Sequence, residues 1–161
     1  MRRLVFLSLV CGCYLAGNPV LAAATGSVTI TGSVPVACDI VVQTESGATG
    51  IADLSLGDTD RLVATVTEDC NDPDGYTVSL AGSNSGNHTG KFVDSVSADE
   101  LNFTVKYNGV QTASGGVVTD SNAPANAAQK PVRITYAADP TLTGAVGNTY
   151  QETLTFSISA K

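Results

Sequence analysis

The sequence predicts an all-β protein whose antiparallel strands pack as a sandwich, and three observations support this fold class. Apolar and polar residues alternate with a period of two in several short segments, which is the pattern of a strand with one buried face. Clusters of Gly, Asn, Asp and Pro separate these segments, as expected for turns. No stretch of ten or more residues carries a convincing helical period.

The first 24 residues have the order of a secretory signal peptide. Arg2 and Arg3 are followed by an apolar run over residues 4–15 and then by small residues. This run is shorter than the roughly 20 residues that a membrane-spanning helix needs. We therefore expect export to the cell surface or beyond, without membrane insertion. Cleavage is expected after one of three alanines, Ala22, Ala23 or Ala24.

The remaining residues, 25–161, are long enough for a single domain. The leader contains two of the eight basic residues and no acidic residue, so its removal changes the net charge from −7 to −9. Nucleic acids and anionic membranes select basic surfaces. Neither is therefore expected as a partner.

The segment that follows the leader alternates over an unusual length. Across residues 28–42 every second position is apolar, apart from Gly32. A strand usually has about 5–6 residues, whereas this run would reach roughly 50 Å at ~3.3 Å per residue. In one interpretation, the chain bends near Gly32 or Pro35 and both halves pair within one domain. In the other, residues 25–34 are an arm that adds a strand to another copy.

Two cysteines follow the leader, Cys38 and Cys70. An even pair in an exported chain predicts a disulfide. Two free buried thiols are the alternative.

The rest of the chain contains five clear strand segments and one weaker segment. The weaker one offers Leu54 and Leu56. The positions of the clear segments that share one face are Leu62, Ala64, Val66 and Cys70; Tyr76, Val78 and Leu80; Leu101, Phe103, Val105 and Tyr107; Val132, Ile134 and Tyr136; and Tyr150, Leu154, Phe156, Ile158 and Ala160. Short strands separated by turn clusters predict one antiparallel β-sandwich of immunoglobulin-like type.

Residues with catalytic chemistry are sparse. The only histidine, His88, lies in a polar loop, and in residues 82–86 Asn84 stands where a nucleophile elbow needs serine. A Ser-His-Asp triad is therefore not expected. We predict no enzyme activity, no catalytic residue and no cofactor.

The acidic segment EDCNDPDG, residues 68–75, raises the question of a calcium site. An EF-type loop that starts at Asp69 would need Asp or Asn where Pro73 stands and Gly where Asp74 stands. The segment is therefore interpreted as a turn and no metal ligand is assigned. A calcium site of another type stays open.

The order of several motifs resembles that of chaperone–usher pilin subunits, most of all the spore-coat-protein-U-like and archaic fimbrial branch. The motifs are TGSVTITGSVPVACDI, LSLGD at residues 54–58, VTEDCNDPDGYTVSL, LNFTVKYNG and the terminal GNTYQETLTFSISAK, and they span all of residues 25–161. This resemblance implies an incomplete immunoglobulin-like sandwich that lacks its last strand. Donor-strand exchange would complete it.

The resemblance also implies partners and sites. A periplasmic chaperone would fill the groove first, and an outer-membrane usher would exchange it for the arm of a neighbouring pilin subunit. Cys38 and Cys70 would form the family disulfide, and Val36 would begin the domain's own first strand. The donor residues would be Val28, Ile30, Gly32 and Val34, and the acceptor groove would contain Leu154, Phe156 and Ile158.

The expected function is that of a structural subunit of a surface pilus or coat-like fibre, with a role in adhesion or biofilm. The alternative is a monomeric exported β-sandwich that binds calcium or carbohydrate, with its arm folded back onto itself.

Overall fold

A computed structural model of the chain provides the fold. It describes residues 25–49, 51, 53–84, 89–112, 116–142 and 149–161. The expected signal peptide and His88 lie outside these ranges. The chain divides after Ser33 into two units, of which Val34–Lys161 contains all the described strands.

The described residues form ten strands, one short helix and one 3-10 turn. The strands are β1 (Cys38–Thr44), β2 (Asp58–Cys70), β3 (Tyr76–Gly82), β4 (Thr89–Asp94), β5 (Glu100–Tyr107), β6 (Val110–Gln111), β7 (Val117–Ser121), β8 (Ala125–Tyr136), β9 (Tyr150–Gln151) and β10 (Leu154–Ala160). The helix α1 (Ser46–Thr49) and the 3-10 turn (Leu54–Leu56) lie between β1 and β2.

The strands make two antiparallel sheets. The order of the first is β1-β2-β8-β5-β4-β9, with β6 paired to β5, and the order of the second is β10-β3-β7. Every described strand pair is antiparallel. The predicted all-β, antiparallel sandwich is therefore confirmed.

The core is built from inward positions of the long strands of both sheets. Val66, Val78, Val105 and Val132 are each at most 1% exposed. All four occupy the apolar phase that the alternation predicted, and β-branched side chains pack well on a pleated surface.

The weaker segment around Leu54 and Leu56 forms a 3-10 turn and not a strand. The carboxylate of Asp53 accepts hydrogen bonds from the Ser55 amide at 2.9 Å and from the Ser55 hydroxyl at 2.6 Å. Such a local cap satisfies backbone donors that a strand would present to a neighbour. Leu56 is left 74% exposed.

The long strand β8 begins earlier in the chain than the predicted strand segment that contains Val132, Ile134 and Tyr136. It begins at Ala125, and residues 125–130 pair with β2 although they lack alternating large apolar side chains. Ala127 has a φ of 48°, at a register shift against β2. This bulge allows the ladder to continue, because it absorbs one residue without ending the pairing. The pairing itself depends on β2, which is distant in sequence.

The strand β1 begins at Cys38 and not at Val36. Pro35 has no N–H to offer a ladder. The amide of Ala37 donates to the side chain of Asn71 at 2.7 Å. The regular ladder with β2 therefore ends at Cys38, and just before it one main-chain hydrogen bond, from the Asn71 amide to the Ala37 carbonyl, stands beside one side-chain hydrogen bond.

Candidate functional site

Two edge strands border the candidate site. Among the described strands, β1 pairs only with β2, and β10 pairs only with β3. Each therefore has one edge whose N–H and C=O groups lack a ladder partner within the described chain. Such an edge is a template for another strand.

The strands β1 and β10 run in opposite directions and are in contact. Cys38, at the start of β1, is the register partner of Cys70, and Ala160, at the end of β10, is the partner of Tyr76. The turn of residues 71–75 joins β2 to β3, so these four residues lie at the same end of the sandwich. We call this the disulfide end, because a disulfide links Cys38 to Cys70. The predicted disulfide is confirmed.

An apolar groove with a volume of about 260 Å³ lies between β1 and β10. Val42 and Thr44 of β1 line one side, and Leu154 and Phe156 of β10 line the other. The remaining lining residues are Val63, Ala64, Val132 and Ile134 with Phe92 and Phe103, and Ala48, Ile51, Glu152 and Thr153.

The inward side chains of these two edge strands are incompletely covered. Phe156 is nearly buried and its ring lies 5.7 Å from that of Tyr107, centroid to centroid. Leu154 and Ile158 are only half-buried, and Val42 is 44% exposed. A row of apolar side chains that remains accessible between two sheets is typical of an interaction site.

The structure places two of the three expected acceptor residues in this groove. Leu154 and Phe156 line it, whereas Ile158 lies on the same face of β10 and packs against the core outside the cavity lining. Sequence reasoning missed Val42 and Thr44. Both could have been recognised from the sequence, because they lie at every second position from Cys38 and therefore share its face of the strand.

The expected donor residues are exposed and belong to no strand. The exposed fractions are 83% for Val28, 89% for Ile30 and 84% for Val34. A Cβ built on Gly32 would meet no atom within 4 Å. Residues 25–37 form no ladder.

Glu152 is held where the groove meets the start of β10. One of its oxygens accepts from the Ser83 hydroxyl at 2.7 Å and from the Asn84 amide at 3.0 Å, and the other accepts from the Lys91 amide at 3.0 Å. The carboxylate therefore ties three segments together at the end of the groove opposite the disulfide.

A buried polar cluster surrounds Glu68, which is fully buried. Its oxygens accept hydrogen bonds from Tyr76 at 2.8 Å, from Tyr107 at 2.6 Å and from Thr119 at 2.7 Å. Burial, followed by the hydrogen bond to Glu68, raises the pKa of Tyr76 to about 12 and also raises the pKa of Tyr107. The cluster joins β2 and β5 of one sheet to β3 and β7 of the other.

In the acidic segment of residues 68–75, the side chains of Glu68 and Asp72 accept hydrogen bonds from within the chain. Glu68 points into the core, and the Asp72 side chain accepts from the Asp74 amide at 2.9 Å. Within the described ranges, no group of three or more His, Cys, Asp or Glu side chains is placed to hold a metal ion.

None of the described helices has the length and apolar character needed to cross a membrane. No protein-family model and no curated protein matches the sequence.

Proposed function

We propose that this chain is a non-enzymatic, pilin-like subunit of a surface fibre. The arm of residues 25–34 inserts into the groove between β1 and β10 of another copy and supplies a strand there. The observation that carries this proposal is the apolar groove between two edge strands, one from each sheet. An exposed, alternating arm in the same chain provides the occupant.

The arm and the groove match in chemistry and length. Main-chain groups of the arm would pair with the edges of β1 and β10, and alternate side chains would enter the apolar groove. Ten arm residues reach ~33 Å at ~3.3 Å each, which exceeds the ~23 Å of a seven-residue strand such as β10. Val28, Ile30 and Val34 would then exchange water for the groove lining. Gly32 suits a point where two backbones approach closely.

This interaction is heterologous, because an arm meets a groove and not a second arm. Repetition of such a contact produces an open fibre unless the rotation happens to close a ring. Until the arm of a neighbour arrives, the groove and the edges of β1 and β10 are an aggregation hazard. A periplasmic chaperone that covers the groove and an outer-membrane usher that exchanges it for the next arm are the partners that this assembly needs.

A pair of complementary variants tests the proposal. Ile30→Asp disables the arm but leaves the groove intact, and Val42→Asp places a charge in the groove but leaves the arm intact. Matched controls change the neighbouring residue of opposite phase, Thr29→Asp in the arm and Val41→Asp in β1. Val41 is 56% exposed and does not line the groove.

We expect both controls to assemble into a ladder of oligomers, measured by light scattering and by unheated gel electrophoresis. Ile30→Asp alone and Val42→Asp alone should each stay monomeric. A mixture of the two should stop at a heterodimer, because only one functional arm and one functional groove meet. Assembly of Ile30→Asp or Val42→Asp at the level of its control would contradict the proposal. A stable wild-type monomer would favour the calcium- or carbohydrate-binding alternative.

A further inference from the structure

Asn71 makes three hydrogen bonds to the base of the arm. Its Oδ1 accepts from the Ala37 amide at 2.7 Å, its Nδ2 donates to the Pro35 carbonyl at 2.9 Å, and its own amide donates to the Ala37 carbonyl at 3.1 Å. Cys38 and Cys70 are joined by the disulfide directly beside these contacts. The base of the arm is thus held by covalent and polar contacts at one point.

The side chain of Asn71 extends the pairing between β1 and β2 beyond the last register pair of the ladder, Cys38 with Cys70. Cys38 is the register partner of Cys70, so Ala37 comes to lie opposite Asn71. A carboxamide offers the same donor and acceptor as a peptide unit. It therefore takes the place of the next peptide of β2 at the point where residues 72–75 turn toward β3.

From these contacts we infer that Asn71 is a positioning residue that directs the arm to another copy and away from the groove of its own chain. This inference rests on the proposed function. The groove lies along the edge of β1 opposite β2, so the chain's own arm can reach it only after a reversal of direction.

The position of that reversal decides how much of the arm could fill the groove. In an antiparallel pair, residues at equal distances from the reversal lie opposite one another. A reversal centred on Pro35 would bring residues 26–32 beside Cys38–Thr44, with Ile30 opposite Ile40 and Val28 opposite Val42 on the face of the groove. A reversal centred on Gly32 would bring only residues 25 and 26 beside β1, because the rest of the arm would pair with its own base.

The reversal centred on Pro35 is therefore opposed twice at the same place. A three-residue loop of residues 34–36 is most often a type I turn followed by a residue with a positive φ, and Pro35 in the middle disfavours the helical conformation that Val34 would need. Val36 is β-branched and resists the positive φ at the third position. The same reversal would also move the Pro35 carbonyl and the Ala37 amide away from Asn71. The contacts of Asn71 thus act at the base of the arm, next to the reversal that would let most of the arm enter the groove.

The test compares Asn71→Ala and Asn71→Asp with the wild-type full chain. Asn71→Asp keeps the acceptor for the Ala37 amide and loses only the donor to the Pro35 carbonyl. This milder change provides a second test in case Asn71→Ala does not fold. Asn84→Ala is the matched control. Asn84 is also exposed, and its Nδ2 donates to two backbone carbonyls, those of Lys91 at 3.1 Å and Gln151 at 2.7 Å.

A further pair of substitutions, Pro35→Asn with Val36→Gly, permits a type I turn followed by a residue of positive φ at the point of reversal. It is made with and without Asn71→Ala. Two quantities are measured in every variant: the ratio of monomer to oligomer by light scattering, and the hydrogen exchange of residues 25–34 in the monomer fraction. Protection of the arm in a monomer reports self-insertion, which a general loss of stability would not produce.

We expect Asn71→Ala to raise the fraction of monomer with a protected arm several-fold over Asn84→Ala, and Asn71→Asp to raise it less. Asn71→Ala combined with the Asn-Gly turn should give mainly such monomers. If the wild type assembles and Asn71→Ala matches Asn84→Ala in both measurements, the role of Asn71 is wrong and the proposed function stands. If Ile30→Asp and Thr29→Asp assemble alike, the proposed function fails and this inference fails with it.

Discussion

The hydroxyl of Tyr76 in one sheet donates a hydrogen bond of 2.8 Å to the fully buried carboxylate of Glu68 in the other. Tyr107 and Thr119 donate to the second oxygen of the same carboxylate. A buried carboxylate is tolerated when such donors satisfy it, and removing one member of the group leaves the others unsatisfied. Glu68 is therefore a polar tie between two apolar sheets.

Glu68→Ala should lower the free energy of unfolding by about 3 kcal/mol, because three hydroxyl groups lose their acceptor. Glu68→Gln should cost about 1 kcal/mol, since the amide oxygen still accepts from Tyr107 and Thr119. The measurement is urea unfolding of both variants at pH 7. Glu100→Ala is the control, because its ion pair with Lys91 is half-exposed and should contribute less than about 1 kcal/mol. Equal effects of Glu68→Ala and Glu100→Ala would contradict the prediction.

The raised pKa values of Tyr76 and Tyr107 predict a loss of stability in alkali. A group whose pKa is higher in the folded state stabilises the fold fully below its unfolded pKa, here 10.0, and loses that contribution as the pH rises through its folded pKa, about 12 for Tyr76. Unfolding free energies should therefore fall between pH 10 and 12. Tyr76→Phe should be less stable at pH 8 by about 1 kcal/mol and should fall less steeply. A parallel decline in wild type and Tyr76→Phe would argue against this assignment.

Asp94 predicts a loss of stability in acid. Burial alone would raise its pKa, but hydrogen bonds from Ser97, Val96 and Thr149 outweigh burial and lower the pKa below 3.8. A depressed folded pKa gives a contribution that is present above the unfolded pKa and disappears as the pH falls through the folded one. Asp94→Asn should weaken the fold at pH 6 and flatten its decline between pH 4 and 2, as followed by urea unfolding. An Asp94→Asn variant that declines in acid as steeply as the wild type would contradict this assignment.

The disulfide predicts a further stability difference. Cys38 and Cys70 are separated by 32 positions, and opening a loop of this size should cost about 3–4 kcal/mol in the chain-entropy view. The double variant Cys38→Ser with Cys70→Ser should show this loss in urea unfolding. Addition of a reductant should lower the stability of the wild type to the same level and leave the double variant unchanged. A wild type insensitive to reduction would rule out this contribution.

The sequence alone predicted the fold class and the core, because both depend on local chemistry. Alternation with a period of two predicts that Val66, Val78 and Val132 lie on the buried faces of their strands, and turn residues mark where the strands end. The disulfide followed from the even number of cysteines behind the leader. Alternation along β1 also predicts that Val42 faces inward, although only the structure shows which inward residues stay accessible.

Only the tertiary structure decided the rest, since pairing partners are distant in sequence. The strand β8 begins at Ala125 because β2, which is distant in sequence, offers a ladder there. Likewise, the groove exists because β1 and β10 end their respective sheets side by side. The side-chain carboxamide of Asn71 reaches the base of the arm because the disulfide between Cys38 and Cys70 fixes the register beside it. Periodicity specifies which side of a strand is apolar, whereas topology determines which apolar side is left for another chain to cover.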